Sequence, residues 1–204
     1  MVALCREKAE REGLSPNLYV QPMHELKLPR TYETIYVCGA FGLGSTRDRD
    51  LEALHRFHDH LRPTGTLLVD IQVPYSSVSQ WKYWLRGERA SLPTEYLPDE
   101  PKRGSDGADY ALRSRIVELD PLSQYATLEI HAEMWRDGVL ESEEDHRLNI
   151  CLYFKNELLL MLERAGFADV VVHGEHSEAA PTSDDDFLVF VARKRQPTGR
   201  RPSA

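Results

Sequence analysis

Cysteine is scarce in this chain: Cys5, Cys38 and Cys151 are the only three among 204 residues, and they stand far apart. An odd, scattered set argues against a disulfide framework and against a CxxC metal knuckle, so each reads as a small buried apolar residue. Long apolar runs are missing as well. No stretch approaches the roughly 18 residues of a membrane span, and the N-terminus lacks the basic, apolar and small-residue order of a signal peptide. Cations are the third shortage, with 25 Lys and Arg against 33 Asp and Glu for a formal charge of -8. Five of them, Arg193, Lys194, Arg195, Arg200 and Arg201, fall in or beside a Pro/Gly/Ser tail, which leaves the body more acidic still. These shortages predict a cytoplasmic protein with no membrane and no nucleic-acid partner.

What is present suits one sizeable domain with a subdomain, since 41% of the residues are hydrophobic and the length supports a real core. The chain is organised around Thr34 to Leu43 (TIYVCGAFGL), a β-branched and aromatic run that breaks off into small residues. It reads as a buried parallel strand, with Cys38, Gly39 and Ala40 leaving room for a ligand where the strand ends. Before it, Met1 to Glu12 consists of helix formers stopped by Gly13, and Asn17 to Gln21 is a short strand candidate. After it, Leu51, Leu54, Phe57 or His58, and Leu61 recur at helical spacing with Asp48 and Asp50 ahead of them as candidate caps, and Thr66 to Ile71 is a third strand. Strand, helix and strand with short links predict a right-handed crossover in a mainly parallel sheet.

The period then changes. Pro74 to Leu85 carries Tyr75, Trp81 and Trp84 in a helical stretch, and Ser91 to Asp109 is a polar loop. From Tyr125 to Trp135, Ala126, Leu128, Ile130, Ala132 and Met134 alternate with Thr127, Glu129, His131, Glu133 and Trp135. That is an antiparallel strand with one wet face, and Leu112 to Leu119 and His146 to Phe154 flank it in a three-stranded meander. Glu157 to Ala165 is an apolar helix capped by Gly166, followed by strands at Ala168 to His173 and Phe187 to Ala192 and a disordered tail from Gln196 to Ala204. The runs Glu141 to Asp145 and Asp184 to Asp186 read as solvated loops, and His55, His58 and His60 as a solvated helix face, with no metal expected.

Five segments together resemble a class I S-adenosylmethionine-dependent methyltransferase of the small-molecule kind. Met1 to Leu14 is similar to the helix after the family's second strand, Tyr19-Val20-Gln21-Pro22-Met23 to its third strand and adenine-side loop, and Thr31 to Ile35 to the "fDxI" approach to strand four. Leu61 to Leu68 (LRPTGTLL) resembles the "LkPGGxLl" turn into strand five, and Tyr153 to Phe167 the "YtxeElxxlLexaGF" helix before the closing hairpin. The resemblance implies an α/β fold with a Rossmann-like sheet in family order 3-2-1-4-5-7-6 and an inserted antiparallel meander. It divides the chain into a partial core over 1–90, a substrate-side insertion over 91–152 and a closing helix and hairpin over 153–195.

The resemblance implies S-adenosyl-L-methionine as cofactor and a small-molecule methyl acceptor as partner. Gln21, Met23 and His24 would lie on the adenine side, and Cys38, Gly39, Ala40 and Phe41 beside the methionine end. Tyr75, Trp81, Trp84 and Trp135 would contact the acceptor. Methyl transfer is an in-line displacement that needs alignment and, for a hydroxyl, a base; His131 is the candidate base and Glu133 its orienting partner. The family's strands one and two, with their glycine-rich loop and acidic residue, have no counterpart in this sequence. An N-terminally truncated enzyme is therefore expected, one that binds cofactor weakly and exposes the strand over Thr34 to Cys38 as an edge open to a second copy. The alternative is a non-enzymatic ligand-binding or dimerisation module derived from such an enzyme.

Overall fold

A computed structural model describes residues 2–97 and 99–194, so the expected tail from Gln196 onward lies outside the described residues. The elements run α1 (Val2–Arg11), β1 (Tyr32–Val37), α2 (Arg47–His60), β2 (Leu61–Gln72), α3 (Val78–Trp81), α4 (Arg86–Arg89), β3 (Lys102–Arg103), β4 (Asp109–Asp120), β5 (Tyr125–Arg136), β6 (Val139–Cys151), α5 (Lys155–Arg164), β7 (Phe167–Gly174) and β8 (Phe187–Lys194). They form two four-stranded sheets, ordered β1-β2-β8-β7 and β3-β4-β5-β6.

In the first sheet β1 and β2 are parallel, with Ile35 beside Leu67 and Val37 beside Val69. β8 inserts antiparallel between β2 and β7, pairing Val69 with Phe190 and Val172 with Phe190 from its two sides. This is the order 4-5-7-6 that the resemblance implies. Helix α2 makes the crossover. Thr46 caps it, its side chain accepting from the Arg49 N–H, so Asp48 and Asp50 sit in the first turn and act on the helix dipole instead of capping. Ala53, Leu54 and Phe57 of α2 and Leu158 and Leu162 of α5 are buried against Leu67, Val69 and Phe190. Aliphatic and aromatic surface removed from water at this density is the main stabilising term of the domain.

Several local expectations differ from the structure. Of the three cysteines read as buried only Cys151 is, Cys5 and Cys38 being exposed. β1, read as a buried strand, is a sheet edge among the described residues on which only Val37 is buried. Asn17 to Gln21 forms no strand: β1 is the sheet edge among the described residues, no neighbour supplies the hydrogen bonds, and Val20 is 82% exposed. Pro74 to Leu85 breaks into short helical turns rather than one helix. Glu141 to Asp145 is part of β6 and not a loop, because the Asp137-Gly138 turn (φ 51° and 78°) folds it directly onto β5. Its run of acidic, exposed residues suits an outer strand, whose charges discourage further pairing.

Candidate active site

The two sheets are laced together where β1 ends. Gly42 accepts the Cys151 N–H at 2.9 Å, the Gly44 N–H donates to the Asn149 carbonyl at 2.7 Å, and Leu43 bridges Ile150. The lacing requires glycine at one position: Gly42 has φ +86°, and a Cβ there would stand 2.7 Å from the Cys151 carbonyl oxygen. Beyond the carboxyl ends of β1 and β2, a cavity of about 260 Å³ opens against the second sheet. Its walls are Gly39, Phe41 and Leu43 after β1, Asp70 to Pro74 at the end of β2, Gln80 and Trp84, and from the second sheet Ile116, Leu119, Ala126, Leu128 and Ile150 to Tyr153.

The walls are mostly apolar, and Asp70 stands out. It is 4% exposed, its Oδ1 accepts the Gly39 N–H at 2.5 Å, and its Oδ2 lies 3.1 Å from Nε2 of the exposed His176. Neither residue carries a sequence motif; only the meeting of β2 with the loop after β7 reveals the pair. Behind the wall, Tyr153 donates its hydroxyl to Asp50 at 2.6 Å, and burial, reinforced by that bond, raises its pKa. Burial likewise pushes the neighbouring Cys151 thiol up to about 11, so it is no nucleophile. Arg47 closes the corner, donating to Glu157 at 2.6 Å and to the Ser123 and Leu152 carbonyls at 2.9 Å each. At the cavity mouth Trp84 stacks on Trp81 at 5.0 Å, and Phe154 meets Trp84 edge-on at 5.5 Å.

No protein-family model and no curated protein matches this chain. Solved structures do. An S-adenosylmethionine-dependent methyltransferase from Clostridium acetobutylicum ATCC 824 superposes with a TM-score of 0.68 at 16% identity, over 95% of this chain and 70% of that one. The CcbJ methyltransferase from Streptomyces caelestis gives 0.60 at 21% identity, over 93% and 68%. The sugar N-methyltransferase KedS8 from Streptoalloteichus sp ATCC 53650 gives 0.61 at 17% identity, over 93% and 67%. The chain has the fold of the S-adenosylmethionine-dependent methyltransferases.

Within that methyltransferase fold the expected site residues separate into two groups. Gly39, Phe41 and Trp84 line the cavity, Ala40 lies between the first two, and Trp81 backs Trp84. Tyr75 packs edge-on against Trp81 at 6.3 Å and opens on a separate hollow beside Phe154 and Lys155. Cys38 is exposed and is not among the cavity walls; its hydrogen bond to Tyr36, with desolvation and charge, holds that phenol up at about 12. The adenine-side group is already engaged: the Gln21 amide bonds both the Lys27 N–H and the Lys27 carbonyl, Met23 packs on the core, and His24 lies 3.5 Å from Glu25.

His131, Glu133 and Trp135 are not among the cavity walls. β5 presents Ala126 and Leu128 there, and strict alternation puts His131 and Glu133 on the other face. On that face Nδ1 of His131 lies 2.8 Å from Asp145 and Nε2 3.1 Å from Glu133, while Trp135 donates to Glu133 at 3.0 Å and Arg113 is paired with Glu133. The hydrogen bond to Asp145 raises the His131 pKa, and the bonds from Trp135 and then His131 hold that of Glu133 down. The polar face of the meander is a web of ion pairs, and its apolar face is the one the cavity uses.

Proposed function

We propose that this chain acts in methyl transfer from S-adenosyl-L-methionine to a small-molecule acceptor. The observation that carries this reading is the position of the cavity, beyond the carboxyl ends of two parallel strands and roofed by an inserted antiparallel sheet. Ligands of open α/β sheets bind at that end, and an apolar lining with few polar groups suits a small molecule. Sugar and glycopeptide N-methyltransferases among the similar structures support an acceptor of that size.

The end of β1 fits the cofactor. Gly39 has φ +55° and no heavy atom within 4 Å of where a Cβ would stand, so its backbone is open to an approaching group. Gly39, Ala40 and Phe41 would face the methionine end, where the bound cofactor supplies an electrophilic methyl group. Trp84 and Gln80 would align the acceptor, with Trp81 behind them. His131 and Glu133, turned away from the cavity, are assigned no role as base; their place is the stability of the meander. Gln21, Met23 and His24 are spent on their own loop and core, so the adenine side would be held by other groups.

Calorimetric titration of S-adenosylhomocysteine into the protein tests the reading, followed by transfer of radiolabelled methyl groups to a panel of small amines, phenols and carboxylates. Saturable binding with transfer to a panel member is expected. Absence of both would leave the ligand-binding module as the better account.

A further inference from the structure

Among the described residues Asp70 has no permanently charged partner: one oxygen accepts the Gly39 N–H, and the other meets His176, a cation only when protonated. Asp70 is almost wholly buried, and it faces a cavity whose other walls are chiefly Phe41, Ile71, Trp84, Leu128 and Tyr153. A carboxylate offers about four lone-pair positions, and two are met, by the Gly39 N–H and by His176. Among the described residues no Lys or Arg lines the cavity. A buried carboxylate with acceptor capacity to spare, the one charged side chain among the described residues that line an otherwise mostly apolar chamber, can take a charged donor from outside.

We propose that Asp70 receives the ammonium group of the acceptor, so that the molecule methylated is an amine with an apolar body. The substrate class rests on the methyltransferase reading; the ammonium site does not. The Gly39 N–H and His176 hold the two carboxylate oxygens in place, and the remaining lone pairs take N–H bonds from the guest.

Benzylammonium and benzyl alcohol share a ring and differ in charge, and amide NMR of the full chain titrated with each tests the site without any cofactor. Benzylammonium is expected to bind about tenfold or more tighter, with its largest shift at the Gly39 amide, and Asp70→Asn should erase the preference. Equal affinities, a preference that survives Asp70→Asn, or shifts confined to other parts of the chain would overturn the proposal. Should Asp70→Asn fail to fold, the comparison of the two probes on the wild-type chain decides alone. Cofactor binding without an amine preference sinks only this inference, and an amine preference without cofactor binding or methyl transfer sinks only the enzyme reading.

Discussion

The Tyr153 hydroxyl and the Asp50 carboxylate meet at 2.6 Å with Asp50 wholly removed from solvent, and through them α2 is fastened to the segment that leads from the meander into α5. Tyr153→Phe keeps the ring and deletes the donor. The carboxylate is then left short of a partner in the core, which costs about 1–3 kcal/mol. Urea denaturation should show that loss, with Asp50→Asn milder because its amide oxygen still accepts the hydroxyl.

Two glycines of the loop after β1 should respond differently to alanine. Both take positive φ, a strain of about 1–2 kcal/mol for any other residue. At Gly39 that is the whole penalty, since the new methyl meets open space; at Gly42 it must also displace the Cys151 carbonyl oxygen 2.7 Å away. Gly42→Ala should therefore lower the denaturation midpoint well beyond Gly39→Ala and should release the Leu43–Ile150 bridge, seen as faster amide exchange at Cys151.

His131 should titrate above the usual imidazole value of about 6.5, because Asp145 and Glu133 stabilise its protonated form. A raised folded pKa means that its stabilising contribution is present in full below the unfolded value and fades as pH rises through the folded one. Histidine NMR on the wild type and on Asp145→Asn checks this: the variant should titrate lower and lose less stability between neutral and alkaline pH. An unchanged midpoint would show that Asp145 is not the main partner.

Arg47→Lys should loosen the corner where α2, α5 and the β4–β5 turn meet. The guanidinium reaches Glu157, the Ser123 carbonyl and the Leu152 carbonyl at once, and a single ammonium cannot span that fan. A loss of about 1–3 kcal/mol is expected, with faster amide exchange around Ser123, whereas the same change at exposed Arg49 should be neutral.

Much of the architecture was legible in the order of residues. Period-two alternation over Tyr125 to Trp135, the small residues after Val37, and the LRPTGTLL and AGF segments are local signals, and local signals report strands, turns and helix ends. The candidate site was legible only in part. Gly39, Phe41 and Trp84 stand where a strand end and its following loop must go. Alternation told which residues of β5 share a face but not which face meets the cavity, and the polar face drew attention because its residues are chemically capable. Nothing in NLYVQ distinguishes a strand from a coil, since a strand exists only where a neighbour supplies its ladder.

By itself the sequence determined the strand and helix periods, the acidic surface and the parallel crossover from β1 to β2, all set by contacts between residues near one another in the chain. The tertiary structure alone decided that the apolar face of the meander roofs the cavity, that Gly42 locks β1 to β6, and that Asp70 meets Gly39 and His176. Those pairings join residues 31 and 106 positions apart, and which distant groups share a buried site depends on how the two sheets pack, a relation no local pattern encodes.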